Sequence, residues 1–186
     1  MTSQDYDDAL ALLHEWTPGD ALRRHAYAVE ASMAQYAELR GEDVFLWRIT
    51  GLLHDMDYEK HPTPEEHPFI GVEELRRRGY PEEMLQAILG HATYSGVARE
   101  TELAKTLFAV DELAGFITAV AYVRPTKLEG LTPRSVKKKL KDKRFAAAVS
   151  REDIRTGVEE LGIDMDEHIT NVIAGMAADA ERLGLA

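Results

Sequence analysis

The clearest fold signal in the chain is the stretch LFAVDELAGFITAV at residues 107–120. Its apolar residues recur at helical spacing, with Leu107, Val110, Ala114 and Ile117 as candidate core positions. The whole apolar run, residues 107–123, includes two acids and falls short of the about 20 apolar residues that a membrane span needs. The stretch therefore predicts a buried central helix of a globular protein.

Helix start and stop signals are frequent in the rest of the chain, and alternating strand patterns are absent. Thr17-Pro18 and the capping box Thr63-Pro64-Glu65-Glu66 each predict a helix start, and a glycine often follows a predicted helix end. We predict an all-α, bundle-like fold of about eight to nine helices, at about residues 4–15, 18–40, 42–57, 64–79, 81–92, 101–123, 133–142, 151–161 and 164–183.

Composition excludes several classes of protein. The 186 residues suit one domain, and the absence of cysteine excludes disulfides, iron–sulfur clusters and cysteine nucleophiles. A net charge of −11 argues against general nucleic-acid binding. We interpret the basic run at 134–144 as a solvated helix face, with attraction of a small anion as the alternative. The acidic N-terminal segment MTSQDYDDAL resembles no signal peptide, which predicts a cytoplasmic protein without a membrane partner.

Three polar features lie where apolar residues are expected. Asp111 shares the apolar arc of its helix, where a carboxylate is costly unless it is paired or binds a metal. His25 lies on the apolar face of the helix predicted at 18–40, and the pair His54-Asp55 closes the apolar helix that ends in GLLHDMDY. Taken singly, a salt bridge explains Asp111 and a hydrogen-bonded core histidine explains His25.

Two further histidines, His67 and His91, lie at ends of predicted helices. His61 is the rival to His67, although its turn position fixes it less firmly in space. His14 and His168 are interpreted as surface residues. Imidazole and carboxylate groups together suit divalent Mn, Fe, Co, Ni or Zn, so these residues are candidate metal ligands.

Taken in order, the stretches LRRHAYAVE, GLLHDMDYEKHP and LFAVDELAGF resemble the HD-domain superfamily of metal-dependent phosphohydrolases, over about residues 18–123. The resemblance implies an all-α HD-like domain at 1–186, with helices at 131–186 packed against the metal-site core. With two extra histidines, His67 and His91, the chain resembles the binuclear subgroup of this superfamily. That resemblance implies that Asp55 would bridge two ions. The metal ligands implied by the resemblance are His25, His54, Asp55, His67, His91 and Asp111.

The resemblance also implies an activity. It is the hydrolysis of a phosphate ester or anhydride, of a nucleotide or similar small molecule, by metal-activated hydroxide, with Asp55 and His54 as catalytic residues. One or two divalent ions (Mn, Fe, Mg, Co, Ni or Zn) would be the cofactors. Arg124 and Lys127 follow the Asp111 helix and are candidate contacts for the substrate phosphate. The alternatives are an HD-type mixed-valent di-iron oxygenase and a non-catalytic helical signalling module.

Overall fold

The computed structural model describes all residues, 1–186, and confirms the all-α prediction. Besides the α-helices the structure contains one short 3-10 turn, Thr93–Ser95, and no strand. The ten helices are α1 (Ser3–Trp16), α2 (Asp20–Arg40), α3 (Val44–Leu53), α4 (Phe69–Arg77), α5 (Glu82–His91), α6 (Glu102–Tyr122), α7 (Pro133–Leu140), α8 (Arg151–Leu161), α9 (Met165–Ala178) and α10 (Ala180–Leu183).

Side-chain caps start several helices at the expected places. The Ser150 hydroxyl accepts the backbone N–H of Asp153 at the start of α8, and Asp164 accepts two N–H groups at the start of α9. Thr101 caps α6 in the same way, by accepting the N–H of Ala104. Each cap satisfies backbone donors that have no partner inside the helix. The final predicted helix is divided at Asp179, which separates α9 from α10.

One predicted helix start and one predicted helix cap are wrong. The predicted helix at 64–79 begins only at Phe69, because Pro68 disfavours helical geometry at the residue before it; residues 63–67 form turns instead. The helix predicted from residue 18 begins at Asp20. The Thr17 hydroxyl does not cap it but donates to the Met56 carbonyl, 3.0 Å away. This tertiary bond ties the end of α1 to the segment after α3.

The two longest helices, α2 and α6, form the centre of the molecule. α2 packs against α3, α6 and α9, and α6 also contacts α5 and α8. The apolar faces of these helices are buried; Leu107, Val110, Ala114 and Ile117 of α6 all lie in the core, as predicted. α3 therefore packs against α2, and α5 packs against α6.

His168 corrects one sequence-based interpretation. It was placed at the surface, but its side chain is fully buried on α9. Its Nε2–H donates to the Ala109 carbonyl at 2.9 Å, and its Nδ1 accepts from the Tyr36 hydroxyl at 2.6 Å. A histidine with both ring nitrogens paired joins α9 to α2 and α6 at little electrostatic cost.

None of the ten helices combines the length and the apolar character needed to cross a membrane.

Candidate metal centre

Five segments of the chain bring six His and Asp side chains to one place. α2 supplies one histidine from its first half, and α6 supplies an aspartate from its middle. The His-Asp pair lies where α3 ends and successive turns begin, and two more histidines come from the turn before α4 and the last residue of α5. The six residues that meet are His25, His54, Asp55, His67, His91 and Asp111.

Asp55 lies at the centre of this group, and its two carboxylate oxygens face different histidines. Oδ1 is 3.3 Å from the Nε2 of His67 and 3.2 Å from the Nε2 of His91. Oδ2 is 3.4 Å from the Nε2 of His54 and 3.8 Å from the Nε2 of His25. A carboxylate placed in this way has the geometry of a bridge between two adjacent sites.

Asp111 completes the side of the cluster that faces α2. Its Oδ1 lies 2.9 Å from the Nε2 of His25 and 3.4 Å from the Nε2 of His54. The acid expected on the apolar face of α6 therefore meets two imidazoles rather than Lys or Arg. This arrangement explains how α6 tolerates a carboxylate so close to its buried face.

Hydrogen bonds to the protein fix three of the four imidazole rings. The Nδ1–H of His54 donates to the Gly51 carbonyl at 2.8 Å, and that of His91 donates to the Ile88 carbonyl. The Nδ1–H of His67 donates to the buried carboxylate of Asp57 at 2.7 Å. Because Nδ1 carries the proton in each ring, Nε2 presents its lone pair to the cluster, which is the usual arrangement of metal-binding histidines.

The donor set fits divalent metal ions. The Nε2 of His54 is buried and has no hydrogen-bond partner, although two carboxylates lie 3.4 Å away. The Nε2 atoms of three imidazoles face carboxylate oxygens, an arrangement that either protons or a cation between them would satisfy. Three overlapping groups have ligand atoms within 4.8 Å of one another: His25, His54 and Asp55; His54, His91 and Asp111; and Asp55, His67 and His91. Mixed imidazole and carboxylate ligands favour transition-metal ions.

The electrostatics of the cluster also favour bound positive charge. Burial lowers the pKa of His54, but the carboxylates of Asp55 and Asp111 outweigh burial and hold that pKa well above its usual value. Burial opposes ionisation of Asp55 too, yet His54, His67 and His91 hold the pKa of its carboxyl well below the usual range. For His67, the two carboxylates of Asp55 and Asp57 overcome burial and raise the pKa to about 9. Without a metal ion the site therefore retains protons, and a metal ion would compete with them.

Five residues of the cluster line an open cleft of about 390 Å³, which we call the metal cleft; His54 is buried behind them. No Lys or Arg is among the residues that line it. Glu112 faces it beside Asp111; burial and the Asp111 charge raise the pKa of Glu112 to about 7. The lining residues are His25, Asp55, Tyr58, His67, His91, Ala92, Thr93, Tyr94, Asp111, Glu112, Gly115, Ala148, Val149 and Asp153.

Several candidates from the sequence lie elsewhere. Neither Arg124 nor Lys127 lines the metal cleft; the Arg124 guanidinium donates to the carbonyls of Lys127 and Glu129, at 2.9 and 2.7 Å, and so holds its own loop. Their contact with substrate stays a prediction. His61 pairs with Glu66 at 3.2 Å, outside the cluster, whereas its rival His67 lies inside it.

The basic run at 134–144 lies on α7 and the loop that follows. Lys137 forms an ion pair with Asp166 of α9, and Lys138 and Arg144 are exposed. The chain then continues to Ala148 and Val149 at the edge of the metal cleft. The run is therefore mostly a solvated face, as interpreted from the sequence.

Sequence reasoning missed Asp57, Tyr58, Glu112 and Tyr94. Asp57 is buried and accepts from His67 and from the Gly71 N–H, each at 2.7 Å. An acid two residues after the His-Asp pair was the available signal for Asp57. Nothing in the local pattern marked the two tyrosines or Glu112, because their common position arises only when the segments pack together.

Comparison with known proteins supports one family. Searches of curated proteins and of solved structures found no significant match. The family model described as HD domain matches residues 22–115, which is just over half of the chain and contains all six clustered His and Asp residues. The match therefore covers the same residues that the structure brings together, and the chain belongs to the HD domain family.

Proposed function

We propose that the protein is a metal-dependent phosphohydrolase that acts on a small phosphorylated molecule, a nucleotide or a compound of similar size. The HD domain family is one of metal-dependent phosphohydrolases, which supports the reaction class. The observation that carries the proposal is the position of Asp55, whose two oxygens face different imidazoles within one open cleft.

The cluster offers two adjacent places for an ion. His25, His54, Asp55 and Asp111 would hold one ion, and Asp55, His67 and His91 a second. Divalent ions held there would lower the pKa of water and polarise the phosphoryl group. In this scheme Asp55 would contribute one oxygen to each ion position. The carbonyls of Gly51 and Ile88 and the carboxylate of Asp57 hold the imidazole rings so that their Nε2 atoms face the ions.

The charge of the cleft supports the need for metal ions. Four acidic side chains line it, and no Lys or Arg does, so an anionic phosphate would meet repulsion from the protein alone; the acids are Asp55, Asp111, Glu112 and Asp153. Divalent cations would reverse that charge where the phosphate must lie. The cleft volume of about 390 Å³ is that of a small-molecule site.

Metal content and hydrolysis, measured together, test the proposal. Wild type, Asp55→Asn and the exposed control Asp7→Asn are purified without chelators or a nickel column. Metal per chain is measured by mass spectrometry, and the release of phosphate is measured from a panel of phosphomonoesters, nucleotides and pyrophosphate. We expect one to two equivalents of metal and phosphate release in wild type and in Asp7→Asn, and the loss of both in Asp55→Asn.

Hydrolysis retained by a folded, metal-free Asp55→Asn variant would contradict the mechanism. Bound iron with visible absorption and no phosphate release would instead indicate the mixed-valent di-iron oxygenase. Circular dichroism of each variant separates a lost site from a lost fold.

A further inference from the structure

A second groove lies beside the metal cleft, between α2 and α6. It has a volume of about 510 Å³, and we call it the side groove. His25 and Gly115 line both the metal cleft and the side groove, so the two spaces meet at these residues. The lining residues of the side groove are Asp20, Ala21, Arg24, His25, Gly115, Thr118, Ala119 and Tyr122.

Gly115 differs from the other glycines inside helices. A Cβ at Gly157 or Gly175 would approach a backbone atom of a neighbouring helix to 2.6 Å, and at Gly51, Gly71 and Gly90 the nearest atom would be at 2.9–3.0 Å. A Cβ at Gly115 would meet only the His25 ring, at 3.8 Å, which is an ordinary contact. Close packing therefore explains why the other five positions are glycine, but it does not explain Gly115. Glycine at that position costs the helix about 1 kcal/mol relative to alanine, so another reason for it is needed.

The walls of the side groove are suited to an apolar group. The Thr118 hydroxyl donates to the Ala114 carbonyl at 2.9 Å, so its proton is already used. Ala21 and Ala119 add only methyl groups. At the far rim the Arg24 guanidinium lies 3.4 Å from the Tyr122 hydroxyl, and both side chains are exposed. Arginine and tyrosine offer flat faces against which a planar ring can stack.

We propose that Gly115 is a specificity-determining residue, which leaves room for the organic part of a phosphate ester to pass from the metal cleft into the side groove. The substrate class is then a phosphomonoester of an alcohol that carries a planar apolar ring. The inference rests on the proposed function, because it needs the phosphate to lie in the metal cleft.

The test compares a ring-bearing ester with a compact one in variants that fill the side groove. Ala119→Leu fills it from a residue that does not line the metal cleft, and Gly115→Ala narrows its entrance; Ala174→Leu, at an exposed position of α9, is the matched control. The values of kcat and KM are measured for 1-naphthyl phosphate and glycerol phosphate. Binding of the non-hydrolysable 1-naphthylphosphonate and methylphosphonate is measured by calorimetry.

We expect wild type to prefer the naphthyl compounds in both assays. Ala119→Leu should lower the naphthyl-to-glycerol ratio of kcat/KM at least 10-fold, mainly through KM, and Gly115→Ala should lower it about threefold. Metal content should match wild type, and the melting temperature of Gly115→Ala should equal or exceed that of wild type. Ala174→Leu should keep the wild-type ratio.

Two results would overturn the inference. One is a wild-type ratio in Ala119→Leu, and the other is a loss of naphthyl preference in Tyr94→Ala, on the metal cleft alone, that is larger than the loss in Ala119→Leu. Failure of the proposed function has a different signature, since wild type would then hydrolyse neither ester. The calorimetric comparison of the two phosphonates would still decide whether the side groove binds the ring.

Discussion

Asp57 shows how one buried carboxylate positions a histidine of the candidate metal centre. One of its oxygens accepts from His67 and the other from the Gly71 N–H at the start of α4. The Gly71 position has no room for a side chain, because an added Cβ would lie 2.9 Å from the Asp57 carboxyl carbon. Asp57 therefore fixes both the ring orientation of His67 and the approach of α4.

Asp57→Asn should weaken metal binding about 10- to 100-fold, the usual effect of losing a partner behind a metal-binding histidine. The amide has nearly the same shape, but it loses the charge and places an NH₂ group where one of the two N–H donors needs an acceptor. Competition with a chromophoric chelator gives the metal Kd, with the exposed Asp7→Asn as control. A Kd within twofold of wild type would show that Asp57 serves the fold alone.

His168 gives the protein a predictable response to acid. Burial lowers the pKa of His168 to about 4, against the 6.5 of a free imidazole; the bond to the Ala109 carbonyl opposes this only in part. Between these two values the unfolded chain binds a proton that the folded chain excludes. The free energy of unfolding should therefore fall as the pH falls from about 7 to about 4, by on the order of 3 kcal/mol from this residue.

The variant His168→Gln tests this effect, since its amide can donate to Ala109 and accept from Tyr36 without titrating. Urea unfolding at pH 7 and pH 4.5 should show a loss of stability in wild type that exceeds the loss in the variant by about 2–3 kcal/mol. Other titrating groups cancel in the comparison. Equal losses in the two proteins would contradict a neutral buried His168.

At the scale of helices, close packing at glycine sets the distances between α8 and α6 and between α9 and α2. An added Cβ at Gly157 would lie 2.6 Å from the Cα of Ala109, and one at Gly175 would lie 2.6 Å from the carbonyl oxygen of Ala31. Both contacts involve backbone atoms, which cannot move without moving a helix. At these two positions α8 and α9 therefore approach the metal-site helices too closely for any side chain to fit.

The same substitution should have opposite effects at two glycines. Gly157→Ala should destabilise the protein by about 1–2 kcal/mol, because forcing α8 from α6 costs more than the gain in helix propensity. Gly115→Ala should stabilise it by about 0.5–1 kcal/mol, since its Cβ fits. Chemical unfolding of the two variants gives both values. A stabilising Gly157→Ala would show that the α6–α8 contact relaxes freely.

The α4 segment shows what local sequence signals could and could not predict. Thr63-Pro64-Glu65-Glu66 has the pattern of a capping box. Residues 63–67 form turns, however, and the helix begins at Phe69. Pro68 was the signal against a helix through His67. The error mattered little for the site, because His67 is held by Asp57 rather than by a helix.

For the whole molecule, periodicity was enough to predict the all-α class and most helices, since burial of one face of each helix dominates its formation. The resemblance to the HD-domain superfamily, carried by the order of the His and Asp residues, was enough to name the six residues that meet. The side groove and the buried state of His168 depend on which faces of α2, α6 and α9 meet across 60 to 130 residues of chain, and no local pattern reports that. The position of Arg124 and Lys127 outside the lining of the metal cleft has the same cause.

Long-range ion pairs connect the two ends of the chain. Glu30 of α2 is buried, and its carboxylate accepts from Arg48 of α3 at 2.6 Å and from Arg182 of α10 at 3.0 Å. Arg99, before α6, pairs with Glu160 of α8 at 2.6 Å. These ion pairs join α8 and α10 to residues within 22–115, the range that matches the HD domain model. They add to the apolar contacts that α8 and α9 already make with that range.

We therefore predict that residues 1–186 unfold as one cooperative unit. The two tryptophans, Trp16 and Trp47, report on the N-terminal helices alone. A Phe145→Trp reporter in a Trp16→Phe, Trp47→Phe background reports on the C-terminal part, because Phe145 packs edge-on against Phe116 of α6 at 5.6 Å. Urea unfolding of each protein is followed by fluorescence and by circular dichroism. Within each protein, the midpoints from the two probes should coincide.

A C-terminal reporter that unfolds at lower urea than the circular dichroism signal would contradict this prediction and place a second unit after α6. Glu30→Ala sharpens the test, because it removes the buried carboxylate to which Arg48 and Arg182 both donate. It should cost about 1–3 kcal/mol, since both guanidinium groups are partly exposed and Arg182 keeps Asp179 as a partner. If the chain is one unit, this change in α2 lowers the midpoint of the Phe145→Trp reporter as much as that of the native tryptophans. Coupling of that kind would mean that α8 and α9 stabilise the metal-site helices as part of the same domain.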